Sequence, residues 1–87
     1  MKSFATPRFW KLYALLPSAV QRKADKAYAL WLNDPGHPSL HFKKVGRFWS
    51  VRVDDNHRAI AEVRGDTAYW LWICDHDEYE ALIAANR

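Results

Sequence analysis

The feature that most constrains the fold is a change of character between Thr67 and Ala85, in TAYWLWICDHDEYEALIAA. Tyr69-Trp70-Leu71-Trp72-Ile73-Cys74 is apolar at every position. A strand of that kind reads as one covered on both faces. The run then turns acidic at Asp75-His76-Asp77-Glu78 and closes with Tyr79, Leu82 and Ile83 at helical spacing. Asp75 with Glu78 three residues on is a capping-box pattern. The stretch therefore predicts the innermost strand of a small sheet feeding a C-terminal helix. A polar cluster centred on His76 sits at the joint. Such joints hold side chains on rigid elements yet leave them open to solvent, which suits chemistry.

Upstream, the period is helical until Asn33. Lys2 to Thr6 reads as a short strand with Phe4 pointing inward. Thr6-Pro7 supplies an N-cap and a proline at the first helical position. Phe9, Leu12, Tyr13 and Leu16 then recur on one helical face. Leu16-Pro17-Ser18 breaks the pattern and starts a second helix whose buried stripe is Val20, Ala24, Ala27, Tyr28 and Trp31. Arg22, Lys23 and Lys26 fall off that stripe and should face water. Asn33-Asp34-Pro35-Gly36 ends the helix. The connection at Pro17 is short enough to require an αα-hairpin.

After His37-Pro38 the pattern alternates. Leu40 to Val45 reads as a strand, and Arg47 to Val53 as a second. Asp54-Asp55-Asn56 is a hairpin turn. His57 to Arg64 is a third strand, Gly65-Asp66 a second turn and Thr67 to Cys74 the fourth strand. Alternation places Trp49, Val51 and Val53 on one face with Ala59, Ala61 and Val63. Arg52 and Arg58 then share the other, open face. Trp70, Trp72, Cys74 and His76 have one parity along the last strand. Whether it is the parity of the open face stays undecided, because Leu71 and Ile73 fit the core equally well. The reading is α+β: an N-terminal helix hairpin packed on a four- to five-stranded, mainly antiparallel sheet, with a short C-terminal helix.

The 87 residues suffice for one domain, residues 1–87, and leave no room for a second core. Hydrophobic residues at 49%, including five Trp, allow a packed core without staples. The single Cys74 has no internal disulfide partner, which fits a reducing compartment. No apolar run approaches a membrane span and no signal-peptide core is evident, so a soluble cytoplasmic protein with no membrane partner is the expectation. Charge is uneven. Residues 1–64 hold twelve of the thirteen Lys and Arg against five acids, a net +7. Residues 65–87 hold one Arg against five acids, a net −4. A basic body suits a polyanionic partner, and an unevenly charged solvated surface explains it equally well.

The strings HPSLHFKKV, FWSVRVDDNHRAI, a Gly-Asp turn and WLWICDHDEYEAL resemble the RelE/ParE superfamily of bacterial toxins from type II toxin–antitoxin pairs. The resemblance runs from about Phe9 to Ile83. It implies a small basic toxin held inactive by a cognate antitoxin. It further implies one of two targets. RelE-like members are messenger RNA endoribonucleases that cut on the ribosome without metal and so inhibit translation, leaving 2′,3′-cyclic phosphate ends. ParE-like members are non-enzymatic inhibitors of DNA gyrase. The RelE-like activity is the expectation here, with gyrase inhibition as the alternative.

Metal-free cleavage by the 2′-OH needs a base, an acid for the leaving 5′-oxygen and cations for the phosphorane charge. The resemblance puts Arg58 at the scissile phosphate. Arg52 is a second cation, and Lys43 and Lys44 hold the RNA backbone or assist proton transfer. His76 is the acid or base of choice, because imidazole titrates near neutral pH. Tyr79, one helical turn on, stacks a base or bonds the phosphate. Trp72 is a stacking platform, and His57 a weaker RNA-binding candidate, with His41 behind it. Each has a plainer reading. The arginines fit a solvated sheet face, His76 fits the first turn of a helix behind the Asp75 cap, and Tyr79 fits the core. Asp75, His76 and Asp77 are consecutive and cannot all face one ion, so no metal and no cofactor is expected.

Overall fold

The computed structural model describes residues 1–86. The chain runs β1 (Lys2–Ala5), α1 (Pro7–Ala14), α2 (Ser18–Asn33), a 3-10 turn (Pro38–Leu40), β2 (Lys43–Val45), β3 (Phe48–Asp54), β4 (His57–Arg64), β5 (Thr67–Asp75) and α3 (His76–Ala85). The strands form one sheet in the order β1-β5-β4-β3-β2, antiparallel except where β1 pairs parallel with β5. The α+β architecture is the one the sequence predicts. β4 lies at the middle of the sheet and β5 beside it, so the apolar strand is interior but not innermost.

Local signals set the helix ends. Thr6 Oγ1 accepts from the Phe9 N–H at 3.3 Å ahead of Pro7, and the same hydroxyl donates to the Trp70 carbonyl at 2.9 Å. Asp75 Oδ1 accepts from the Glu78 N–H at 2.8 Å. Each cap satisfies a backbone donor that the first helical turn leaves unpaired. The helix hairpin is tied by Tyr13, whose hydroxyl donates to Asp25 at 2.7 Å and whose carbonyl accepts from Gln21 at 2.9 Å.

The sheet carries a core on each face. Under the helix hairpin, Ala24, Trp31, Leu40, Val51, Ala59, Ala61, Ala68, Trp70 and Ile73 pack together. Trp31, at 1% exposure, meets Trp70 edge-on at 5.2 Å. Under α3, Phe48, Ile60, Cys74, Tyr79 and Ile83 form a smaller core. The face read as open is therefore half covered.

Four local expectations are corrected. Leu40–Val45 is not one strand: Leu40 closes a 3-10 turn, His41 takes a left-handed φ of 46°, and the strand starts at Lys43. Pro38 favours that turn, and it overrides the alternating pattern. Phe4 is 55% exposed because β1 is an edge strand. Tyr28 is 43% exposed, and its hydroxyl reaches Ser3 Oγ at 2.9 Å. Trp70 and Trp72 do not share a face. The β4–β5 register shifts between Ile60, opposite Trp72, and Ala61, opposite Trp70. Leu71 is the extra residue of a bulge, which reverses the side-chain alternation. Trp70 thus joins the hairpin core, while Trp72 packs edge-on against Phe48 on the α3 face.

Among the described residues, no helix is long and apolar enough to cross a membrane.

Candidate functional site

Two hollows flank the sheet. One, of about 270 Å³, lies between the helix hairpin and the sheet and is lined mostly by apolar groups, among them Phe9, Trp10, Tyr13, Trp31 and Trp70. Its lining offers little for proton transfer or for binding an anion. The other, of about 250 Å³, lies on the α3 face and is lined by His41, Lys43, Val45, Ser50, Arg52, Arg58, His76, Tyr79, Glu80 and Ile83. Charged and titratable groups dominate it, so the second hollow is the candidate site.

Strand register assembles this cleft. Arg52 on β3 is directly opposite Arg58 on β4, and Arg58 is directly opposite Cys74 on β5. His76 follows Cys74 by two residues. Lys43 on β2 is opposite Ser50, two residues before Arg52 on the same face. The cations thus span the sheet from β2 to the exit of β5. At a strand spacing of about 4.8 Å, the backbones at its two ends are roughly 14 Å apart. Long side chains close that distance.

Each group is held. Arg52 pairs with the exposed carboxylate of Asp55. Arg58 Nη1 donates to the Asp54 carbonyl at 2.6 Å and to the His57 carbonyl at 3.0 Å. The His76 N–H donates to the Asn56 carbonyl at 2.7 Å, and its Nε2 lies 3.5 Å from Glu80 Oε1. Tyr79 is buried, its ring 6.0 Å from that of His76 and its hydroxyl 3.5 Å from Ser50 Oγ. Tyr79 belongs both to the smaller core and to the lining of the cleft. Cys74 lies buried beneath; burial, with the charges of Glu78 and Asp75, pushes its thiol up to about 12. It is a packing group.

Of the residues singled out in the sequence, Arg52, Arg58, His76, Tyr79 and Lys43 meet in this cleft. Lys44, His57 and Trp72 do not line it. Lys44 is opposite Trp49, whose ring lies tilted against Phe42, a residue packed against the hairpin-side core, at 4.8 Å. His57 turns to the hairpin side, where its Nδ1 is 2.9 Å from Asp54 Oδ1. Trp72 is on the α3 face but is partly covered, with Phe48 at its edge and the Arg8 guanidinium 5.2 Å over its ring.

Sequence reasoning missed Ser50 and Glu80 and left His41 in second place. Glu80 was findable, since i+4 from His76 is one helical turn. His41 carried a signal as well, since alternation through Leu40–Val45 gives it the parity of Lys43. The acidic residues read around His76 also resolve: Asp75 caps the helix, Asp77 and Glu78 are exposed, and Glu80 is the carboxylate that meets the imidazole. Among the described residues, no group of three or more His, Cys, Asp or Glu is placed to hold a metal ion.

Comparison with known proteins agrees with this architecture. A search of curated proteins finds no match. Among solved structures, the chain is similar to the RelB–RelE antitoxin–toxin complex from Methanococcus jannaschii, with a TM-score of 0.72 at 17% identity over 91% of this chain and 96% of that one. It is similar to YafQ from E. coli strain BL21(DE3), with a TM-score of 0.68 at 12% identity over 90% and 96%. It is also similar to a mutant of the E. coli toxin RelE in the free state, with a TM-score of 0.67 at 12% identity over 98% and 90%. These likenesses establish a shared fold. The ParE-like toxin domain matches residues 18–81, from the start of α2 into α3. The chain therefore belongs to the family of ParE-like toxin domains.

Proposed function

We propose that this toxin is a ribosome-dependent messenger RNA endoribonuclease that blocks translation by metal-free transesterification. The observation that carries the reading is the convergence of Lys43, Arg52, Arg58, His41 and His76 on one cleft. In the reaction, the RNA 2′-oxygen attacks the adjacent phosphorus and forms the new P–O bond. The bond to the 5′-oxygen breaks, leaving a 2′,3′-cyclic phosphate and a 5′-hydroxyl. One proton leaves the 2′-OH and one joins the 5′-oxygen.

The scissile phosphate sits over the Arg52–Arg58 pair, whose fixed guanidinium groups stabilise the phosphorane charge. His76, at the β5 end of the cleft, donates the proton to the leaving 5′-oxygen, with Glu80 orienting its ring. His41 and Lys43, at the β2 end, are the groups that take the 2′-OH proton. An in-line displacement needs its acid and base on opposite sides of the phosphate, and the strand order supports that division. A cognate antitoxin is the inferred protein partner, supported by family membership and by the RelB–RelE likeness.

The test is primer extension on messenger RNA incubated with ribosomes and the purified protein in excess chelator, beside a DNA gyrase supercoiling assay. Cleavage with cyclic-phosphate ends, lost in folded Arg58→Ala and His76→Ala, is the expected result. Intact messenger RNA with inhibited gyrase would overturn the nuclease in favour of the gyrase-directed reading.

A further inference from the structure

The cleft does not fix itself; the β3–β4 turn fixes it. All four residues from Asp54 to His57 contribute. Asp55 supplies the carboxylate that pairs with Arg52. The carbonyls of Asp54 and His57 receive Arg58 Nη1. The Asn56 carbonyl receives the His76 N–H. So one turn touches the three groups on which the proposed chemistry rests.

The turn is itself held from the other face of the sheet. A register shift between Arg52 and Asp54 brings Asp54 opposite His57. Asp54 Oδ1 accepts from the Asn56 N–H at 2.8 Å and lies 2.9 Å from His57 Nδ1. Its Oδ2 is 3.7 Å from Lys23 Nζ on α2. An aspartate that accepts from the N–H two residues on fixes the turn's backbone. Here it fixes the direction of the carbonyls that Arg58 and His76 use.

We propose that Asp54 is a positioning residue: from the hairpin side of the sheet, its carboxylate sets the turn that aims Arg58 and His76 into the cleft. The kinetic part of this inference rests on the nuclease reading; the structural part does not.

The test takes Asp54→Ala, Asp54→Ser and Asp54→Asn in the full chain. Two readouts are used: the side-chain Nε–H resonance of Arg58, assigned by its absence in Arg58→Ala, and the kcat and KM of RNA cleavage on ribosomes. A misaimed reacting group costs about ten- to a hundredfold in rate. Asp54→Ala should move or broaden the Arg58 resonance and lower kcat by that factor, with KM within about twofold. Asp54→Asn keeps an acceptor for the Asn56 N–H and should restore most of both; Asp54→Ser should fall between them. Should the alanine variant not fold, the serine variant takes its place. A folded variant whose Arg58 resonance is unmoved overturns the proposal. So does a moved resonance with unchanged kcat when Arg58→Ala is inactive. If Arg58→Ala still cleaves RNA, the nuclease reading fails, and the resonance alone decides whether Asp54 positions Arg58.

Discussion

Arg52 and Arg58 stand directly across from each other on β3 and β4, two like charges in register at the centre of the cleft. Opposed like charges on neighbouring strands destabilise a sheet. Asp55 and the turn carbonyls offset part of that repulsion. An anion seated over the pair would offset the rest. The arrangement suits a site that binds phosphate better than it suits a sheet selected for stability alone.

Arg52→Ala should therefore cost activity without costing stability. It removes the repulsion and gives up a pair whose Asp55 partner is almost fully exposed, an interaction contributing about 0–1 kcal/mol. The melting temperature should stay within about 5 °C of wild type or rise. RNA cleavage should fall by about two orders of magnitude. Thermal melting and primer extension on the same preparation check both. A large fall in melting temperature would assign Arg52 to the fold instead.

Glu80 is the carboxylate that lines the cleft, and it should weaken RNA binding while orienting His76. Glu80→Gln removes one negative charge from the path of the phosphates. KM for RNA should fall about two- to fivefold at low salt, and the gain should shrink as salt rises. A rise in KM would mean that Glu80 contacts the RNA itself.

Trp72 was a stacking candidate in the sequence, and its packing against Phe48 makes it structural. Trp72→Ala should destabilise the fold by about 2–4 kcal/mol, a value reduced for its partial exposure. Its affinity for RNA, measured below the melting transition, should be unchanged. Denaturant unfolding beside a binding titration separates the two roles.

Asp54 titrates below the ordinary carboxylate value. Burial raises it, but the Asn56 N–H, the His57 imidazole and Lys23 together lower it by more. Folding thus favours the ionised form. The stability this gives is complete above the ordinary value of 3.8 and is lost as pH falls through the depressed one. Between about pH 5 and about pH 2, the melting temperature of wild type should fall more steeply than that of Asp54→Asn. Parallel slopes would contradict this linkage.

Cys74, with its thiol pushed up to about 12 by burial and by Glu78 and Asp75, should resist alkylation at neutral pH. Iodoacetamide labelling followed by mass spectrometry should show modification only once the chain is unfolded. Rapid labelling of the native protein would mean that the core under α3 opens readily.

Much of this was legible in the chain because it is local. The Thr6-Pro7 and Asp75–Glu78 caps, the turn at Asp54–Asn56 and the shift from helical to alternating period each lie within a few residues. A capping hydroxyl or carboxylate needs only the neighbouring N–H groups. Alternation through β3 and β4 likewise put Arg52 and Arg58 on one face.

Tertiary structure decided what depends on pairing between distant segments. The bulge at Leu71 exists only against Ile60 and Ala61, and it sends Trp70 and Trp72 to opposite faces while leaving His76 beside the arginines. The pairing of β2 with β3 sets Lys43 opposite Ser50 and Lys44 opposite Trp49, so that Lys43 rather than Lys44 reaches the cleft with His41. A one-residue change of register reverses every side chain beyond it. The residues that carry chemistry were therefore readable in the sequence, but the side of the sheet on which the last of them meet was set by registers that only the folded chain fixes.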